Sequence, residues 1–504
     1  MRTVMVSFAI AMVFGGVSLS NPIAAVVLAQ DTKPAEPAPT DAAAAQTDEA
    51  KKQAEQNLQT MAERLVVSMD QLIPGEFSAD APLPKQLKEA ALILLRGDPK
   101  AAGENLEKLV QENPTLPPWP LLVAAMHFSM NQAEPGRLGL ERAAVDFPDY
   151  PGVYTALARL SINEGWWASS MALLAQLRQK IDSGTWSEEQ KQHFEMEYLD
   201  ALSDAAIGQR RLEDARKHLI DLQVRLPENA SVPFRLADID FRQEKFADSL
   251  VNLAKARALD ANLYPPELVL YQWSTRQNKP EDAQRWIEAA SEKFPDEKTV
   301  QVEYSRFLLE RSELAEAAKW VESAEKSGAN SSITRFLKAQ ISFLRRSYTA
   351  AEADFNELAL QNPNDLAVRN MLALCLIESD DPGKQQKALE IASTNLRFNP
   401  NNAQLASTMG WVFYRLGNVQ QAKQILSQVA SLPNFPSDAG YYMAQVFMDE
   451  GNDAGAVELL SKCLTARGLF SYRLRAEADL NVANKRLASR KDATKEPTPS
   501  TDKR

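Results

Sequence analysis

Small residues recur along this 504-residue chain at a spacing that leaves few folds open. They stand at Ala102, Gly136 and Ser170, then at Ala215, Ser249, Ala283, Ala317 and Ala351, then at Ala388, Ala422 and Ala456. Eight of the ten intervals are 34 residues, and the other two are 45 and 37. A fixed period of this length marks a repeat architecture, in which each copy of a supersecondary unit buries its apolar face against the next.

Neighbouring columns keep the same register. Four residues after the small column come Leu106, Leu140, Leu174, Leu219, Leu253, Ile287, Val321, Phe355, Ala392, Leu426 and Leu460, and three further on come mostly Leu, Ala and Val. Steps of four and seven place all three columns on one face of a helix. Pro114, Pro148, Pro227, Pro295, Pro363 and Pro400 lie twelve residues after the small column, where proline ends that helix. Ala90, Ala124, Ala158, Ser203, Ala237, Gly410 and Ala444 lie twelve before it, so a preceding helix can approach closely. Each period therefore predicts two antiparallel helices. Only 19 glycines occur in the chain, which suits a helical protein.

The pattern resembles the tetratricopeptide repeat family, most closely in residues 410–433, GWVFYRLGNVQQAKQILSQVASLP, with Gly410, Phe413, Gly417, Ala422 and Leu426 at the family's positions. The resemblance covers residues 83–470 as about eleven units. It implies an all-α, right-handed superhelical solenoid of helix-turn-helix repeats. The tryptophan that the family carries near the start of the first helix is mostly absent here. The 37-residue interval fits a longer turn at Asp380-Asp381-Pro382-Gly383, and the 45-residue interval fits an insertion at about 180–190. There Asp182–Trp186 reads as a loop, and Ser187 with Gln190 as the capping box of a long helix.

Outside the array, residues 1–29 read as a signal peptide: Arg2, an apolar run from Val4 to Val17, and small residues in Val27-Leu28-Ala29 before Gln30. An uncleaved membrane anchor is the alternative. Residues 30–47 are a Pro/Ala-rich stretch expected to be a disordered linker, and 491–504 a disordered polar tail. Residues 48–82 and 471–490 are expected to form helices that cap the two ends of the array. The localisation so implied is export to a periplasmic or extracellular space.

A formal net charge of −11 disfavours nucleic acid as a partner. No phosphate-binding loop, nucleophile motif or metal-ligand spacing is present, so neither catalysis nor a cofactor nor a metal is expected. His127, within LLVAAMHFSM, reads as a packed histidine, and Trp166-Trp167 as packing between repeats. Cys375 and Cys463 fall in the ninth and eleventh units, too far apart for a disulfide.

The resemblance also implies where a ligand would bind, because the family grips protein segments with the first helix of each pair, on the concave face. Carried onto this chain, the gripping positions are Arg159, Arg242, Arg276, Arg306 and Arg415, with Phe241, Trp411, Tyr414 and Tyr441. Arginine binds carboxylates through paired hydrogen bonds and aromatics provide apolar anchors, so the expected partner is a protein or peptide, acidic in character. Asp204, Asp238 and Glu310 stand nearby and offer the opposing reading, that they neutralise the arginines within the groove. The function implied is a scaffold or adaptor. The alternative is a structural component of an envelope assembly or secretion machine that uses edges and ends.

Overall fold

The computed structural model describes residues 41–70, 72, 82–466 and 468–493. The expected signal peptide, residues 30–40 of the linker and residues 494–504 of the tail lie outside them. Among the described residues every regular element is a helix, and the helices form two compact units, one ending at Leu263 and one beginning at Tyr264.

The first unit opens with the helix Asp41–Asp70. This helix starts before the expected position 48, because Ala42–Ala45 are the strongest helix formers available and extend it backward. Five helical hairpins follow: Pro82–Leu95 with Pro99–Glu112, Trp119–Ser129 with Ala133–Asp146, Pro151–Asn163 with Trp167–Ser183, Glu188–Gly208 with Leu212–Arg225, and Ser231–Arg242 with Phe246–Leu259. The second unit holds hairpins six to eleven: Pro266–Arg276 with Pro280–Lys293, Lys298–Glu310 with Leu314–Lys326, Ser331–Leu344 with Tyr348–Gln361, Leu366–Ile377 with Pro382–Phe398, Ala403–Arg415 with Val419–Ala430, and Ser437–Asp449 with Asp453–Thr465. It ends on the helix Arg473–Ala493, which packs against the second helix of hairpin eleven and continues past the expected end at 490.

The small column is where the two helices of a hairpin meet. Ala102, Ala215, Ala317, Ala351, Ala388, Ala422 and Ala456 are wholly buried. The buried Ser249 fills the same place, its hydroxyl donating to the Ala237 carbonyl at 2.9 Å, so a polar atom is tolerated where a main-chain acceptor faces it. In hairpin ten, a Cβ on Gly410 would come within 2.6 Å of Leu426 Cγ, so this glycine makes room for leucine one turn beyond Ala422.

The turns inside the hairpins, that of hairpin nine apart, hold a left-handed residue. It is glycine at Gly97, Gly165, Gly417 and Gly451 but Asn131, Arg210, Glu244, Asn278, Ser312 and Arg346 in other hairpins. A side chain in that region clashes with the following carbonyl at a cost of about 1–2 kcal/mol, offset in part by the larger entropy that glycine loses. Arg210→Gly is therefore expected to stabilise the first unit by about 0.5–1 kcal/mol, seen as a higher denaturant midpoint with an unchanged slope.

Both irregular intervals fall where the sequence placed them, but helices rather than loops take up the extra residues: in hairpin nine the link is residues 378–381, Pro382 and Gly383 are helical, and the second helix runs to 17 residues. The Asp381 side chain caps the second helix of hairpin nine by accepting from Gly383 N at 2.7 Å. The capping box of Ser187 and Gln190 is formed, each bond 3.2 Å. Asp182 and Ser183, expected in the loop, are helical: the extra residues lengthen the helices to 17 and 21 residues and leave a short connection. Trp186 then packs edge-on against Phe194, 5.3 Å between centroids, and covers the junction. Of the tryptophan pair, Trp167 packs over Gly208 while Trp166 is exposed beneath the guanidinium of Arg137. Cys375 and Cys463 are free and buried, and burial pushes the Cys463 thiol up to about 12.

Candidate protein-binding surface

In the second unit the first helices of successive hairpins lie side by side, and their inner residues meet around one carboxylate. Glu378 caps the end of Leu366–Ile377, and its side chain is 2% exposed. Trp411 and Arg415, one turn apart on the next first helix, both reach it: the indole N–H donates at 3.0 Å and the guanidinium pairs at 2.7 Å. The remaining donors come from far along the chain. Tyr472 Oη donates at 3.0 Å and both Arg475 Nη atoms at 3.2 Å, across 94 and 97 residues. Arg475 also donates to Tyr348 Oη at 2.9 Å, 127 residues away.

Aromatic rings surround this carboxylate. Trp411 stacks on Tyr442 at 4.6 Å and on Tyr414 at 5.2 Å, Tyr441 stacks on Tyr472 at 5.1 Å, and Tyr472 meets Phe343 edge-on at 5.9 Å. Beside them is a cleft of about 510 Å³ with Leu314, Phe343, Tyr348, Tyr441, Tyr472 and Arg475 in its walls. The segment that enters is fixed at its start by Asp438, which accepts from Ser471 N and Oγ, both at 2.9 Å.

Burial pushes the Asp438 carboxyl up to about 6 against the pull of its bonds from Ser471. In the unfolded chain an aspartate titrates near 4, so the folded state holds this proton more tightly. The stability from this group is fully present below about pH 4 and is lost as the pH rises through about 6. Asp438→Asn keeps an acceptor for Ser471 N and can donate to its hydroxyl. The variant is expected to remove about 2–3 kcal/mol of stability change between pH 4 and 7, measured by urea unfolding across that range.

The sequence-predicted groove residues fall into distinct settings. In the first unit Arg159 is spanned by Asp200 at 2.5 Å and Asp204 at 3.5 Å. Arg235 pairs with the same two aspartates, 2.5 Å from Asp204. Burial opposes ionisation of Asp200, but Arg235 and Arg159 outweigh it and hold the carboxyl at about 2. Arg242 pairs with Asp238 at 2.8 Å and stays 41% exposed; Phe241 is buried. In the second unit Arg276 is exposed, Arg306 pairs with Glu303 rather than Glu310 and is 47% exposed, and Arg415 is taken by Glu378. Trp411 and Tyr441 are buried, and Tyr414 donates to Asp449 at 2.6 Å. Of the predicted arginines, Arg242, Arg276 and Arg306 therefore present accessible surface. His127 is half-buried against Gln132 Oε1, 2.7 Å from Nδ1.

Sequence reasoning missed Asp200, Arg235, Glu303, Glu378, Tyr472 and Arg475. Glu378 and Trp411 are 33 residues apart, close to one repeat, and a search for acid–donor pairs at that spacing would have found them. Nothing periodic relates Glu378 to Tyr472 or Arg475.

With this geometry in place, residues 276–332 match the sequence pattern of the tetratricopeptide repeat. No curated protein matches the chain in sequence. Among solved structures the chain is similar to a tetratricopeptide repeat protein of Thermus thermophilus, with 18% identity, TM-score 0.32, and coverage of 38% of this chain and 100% of that one. A tetratricopeptide repeat protein from Parabacteroides merdae is similar over 57% of this chain and 99% of its own, with 13% identity and TM-score 0.33. Yeast Tom70 is similar over 81% of this chain and 97% of its own, with 13% identity and TM-score 0.31.

Proposed function

For a chain built from tetratricopeptide repeats, we propose that the work is to hold another protein: a scaffold or adaptor that acts after export, in a periplasmic or extracellular space. The observation that carries this reading is that the first helices of the second unit already receive a polypeptide segment, with Tyr472 and Arg475 bonded to Glu378 across 94 and 97 residues. A surface that satisfies one segment's ring and guanidinium has the chemistry to hold another's. Arg276 and Arg306, exposed on the first helices of hairpins six and seven, add positive charge for an acidic stretch of the partner. Arg242 offers the same on the first unit. Export rests on the N-terminal residues 1–29.

Photo-crosslinking in the native host tests the scaffold. A photoreactive residue at Arg276 or Arg306 should give discrete protein adducts, and one at the outer positions Leu360 and Phe398 should give few. The reverse pattern would favour the envelope-assembly reading, which has one observation of its own: Val145, Val224 and Leu360 stand exposed at one register position of the second helices. N-terminal sequencing of the native protein tests export. A start at Gln30 supports it, and a start at Met1 in membranes makes the segment an anchor.

A further inference from the structure

The second unit's inner face is occupied by its own chain in a way that specifies a ligand. In a stacked-repeat protein each unit contacts its neighbours. Tyr472 and Arg475 break that rule, because they reach hairpins eight and nine from beyond hairpin eleven. The receiving half is built without them. Trp411 and Arg415 bond Glu378 from within the repeats, so two of its partners do not come from the segment, while Tyr472 and Arg475 fill the further donor positions. Compared with four-residue links at 327–330, 362–365 and 399–402 and a six-residue link at 431–436, the connection that delivers the segment is residues 466–472. Gly468 lies in it with φ +97° and open space around it.

We propose that this face is a binding site for a partner segment with an aromatic residue at a helix start and an arginine three positions later, and that Tyr472 and Arg475 occupy it in cis as a resident competitor. Recognition has three parts. The aromatic ring stacks on Tyr441 and against Trp411, as Tyr472 does at 5.1 and 5.6 Å. The guanidinium takes Glu378 through both Nη atoms and lies against the ring of Tyr348, as Arg475 does. The start of the helix is held by Asp438, as Ser471 is. Glu378 makes a single buried acceptor the centre of the site, so an acidic ligand is rejected here and a basic one selected. The inference rests on the reading of the chain as a protein-binding scaffold and adds what this part of it selects.

A fluorescent peptide of residues 468–490 is the probe, titrated by anisotropy into the full-length chain. Wild type, whose site is filled, should bind at least tenfold more weakly than Tyr472→Ala/Arg475→Ala. The same double variant should bind a peptide carrying Arg475→Glu at least tenfold more weakly than the unaltered peptide. Circular dichroism establishes that the variant is folded. Should it not fold, Arg475→Ala alone keeps the aromatic packing and should bind the peptide at least threefold more tightly than wild type. A folded variant that binds no better than wild type, or one indifferent to the peptide's arginine, overturns the proposal. If that happens while crosslinks still form at Arg276 and Arg306, the scaffold reading stands and this site alone falls.

Discussion

Glu378→Ala is expected to cost the second unit about 3–5 kcal/mol, the usual result of removing one member of a buried charge cluster. The loss is large because of what remains. Arg415 and Arg475 are left facing each other without a counter-charge, and Trp411 and Tyr472 lose an acceptor in a buried place. A substitution such as Ala422→Leu, by contrast, forces a local overpacking worth about 1–3 kcal/mol, felt mainly by its own hairpin and the next. The distribution of the damage separates the two. Hydrogen exchange on Glu378→Ala should show faster exchange both in hairpins eight to ten and in the helix Arg473–Ala493. Loosening confined to hairpins nine and ten would mean that the long-range bonds contribute nothing measurable.

Asp200→Ala should destabilise the first unit by a similar amount, about 3–5 kcal/mol. Arg159 and Arg235 share this carboxylate, and in the variant only Asp204 is left between them. A pH signature accompanies the loss. The Asp200 carboxyl is held down at about 2, below the unfolded value near 4, so its contribution is present above about pH 4 and is lost as the pH falls through about 2. Asp204 shifts the other way, raised by burial and by the charge of Asp200. The difference in unfolding free energy between wild type and Asp200→Ala should therefore be largest near neutral pH and shrink in acid. A difference independent of pH would mean that Asp200 acts through packing alone.

How these arginines are used was only partly legible in the sequence. Family geometry put Arg159, Arg242, Arg276, Arg306 and Arg415 on first helices, and they are on first helices. It did not say which were free. Asp238 pairs with Arg242 and Asp204 with Arg159, whose closer partner is Asp200, while Arg306 pairs with Glu303, three residues back on its own helix. Trp411 and Tyr441 read as groove anchors, yet both are buried under a segment that the repeat period does not contain.

By itself the sequence determined the all-α class, the helix pairs, the places where helices meet and the two interruptions of the period. These follow from backbone geometry and residue size within one or two repeats: a small residue where two helices touch, proline where a helix ends, Asp381 or Ser187 where one begins. Only the tertiary structure decided that Glu378 joins Trp411, Arg415, Tyr472 and Arg475, and that Asp200 joins Arg159 and Arg235. Contacts between residues 94 to 127 positions apart depend on how small rotations between successive hairpins add up. No single residue encodes that sum, so a periodic reading stops at the neighbouring repeat.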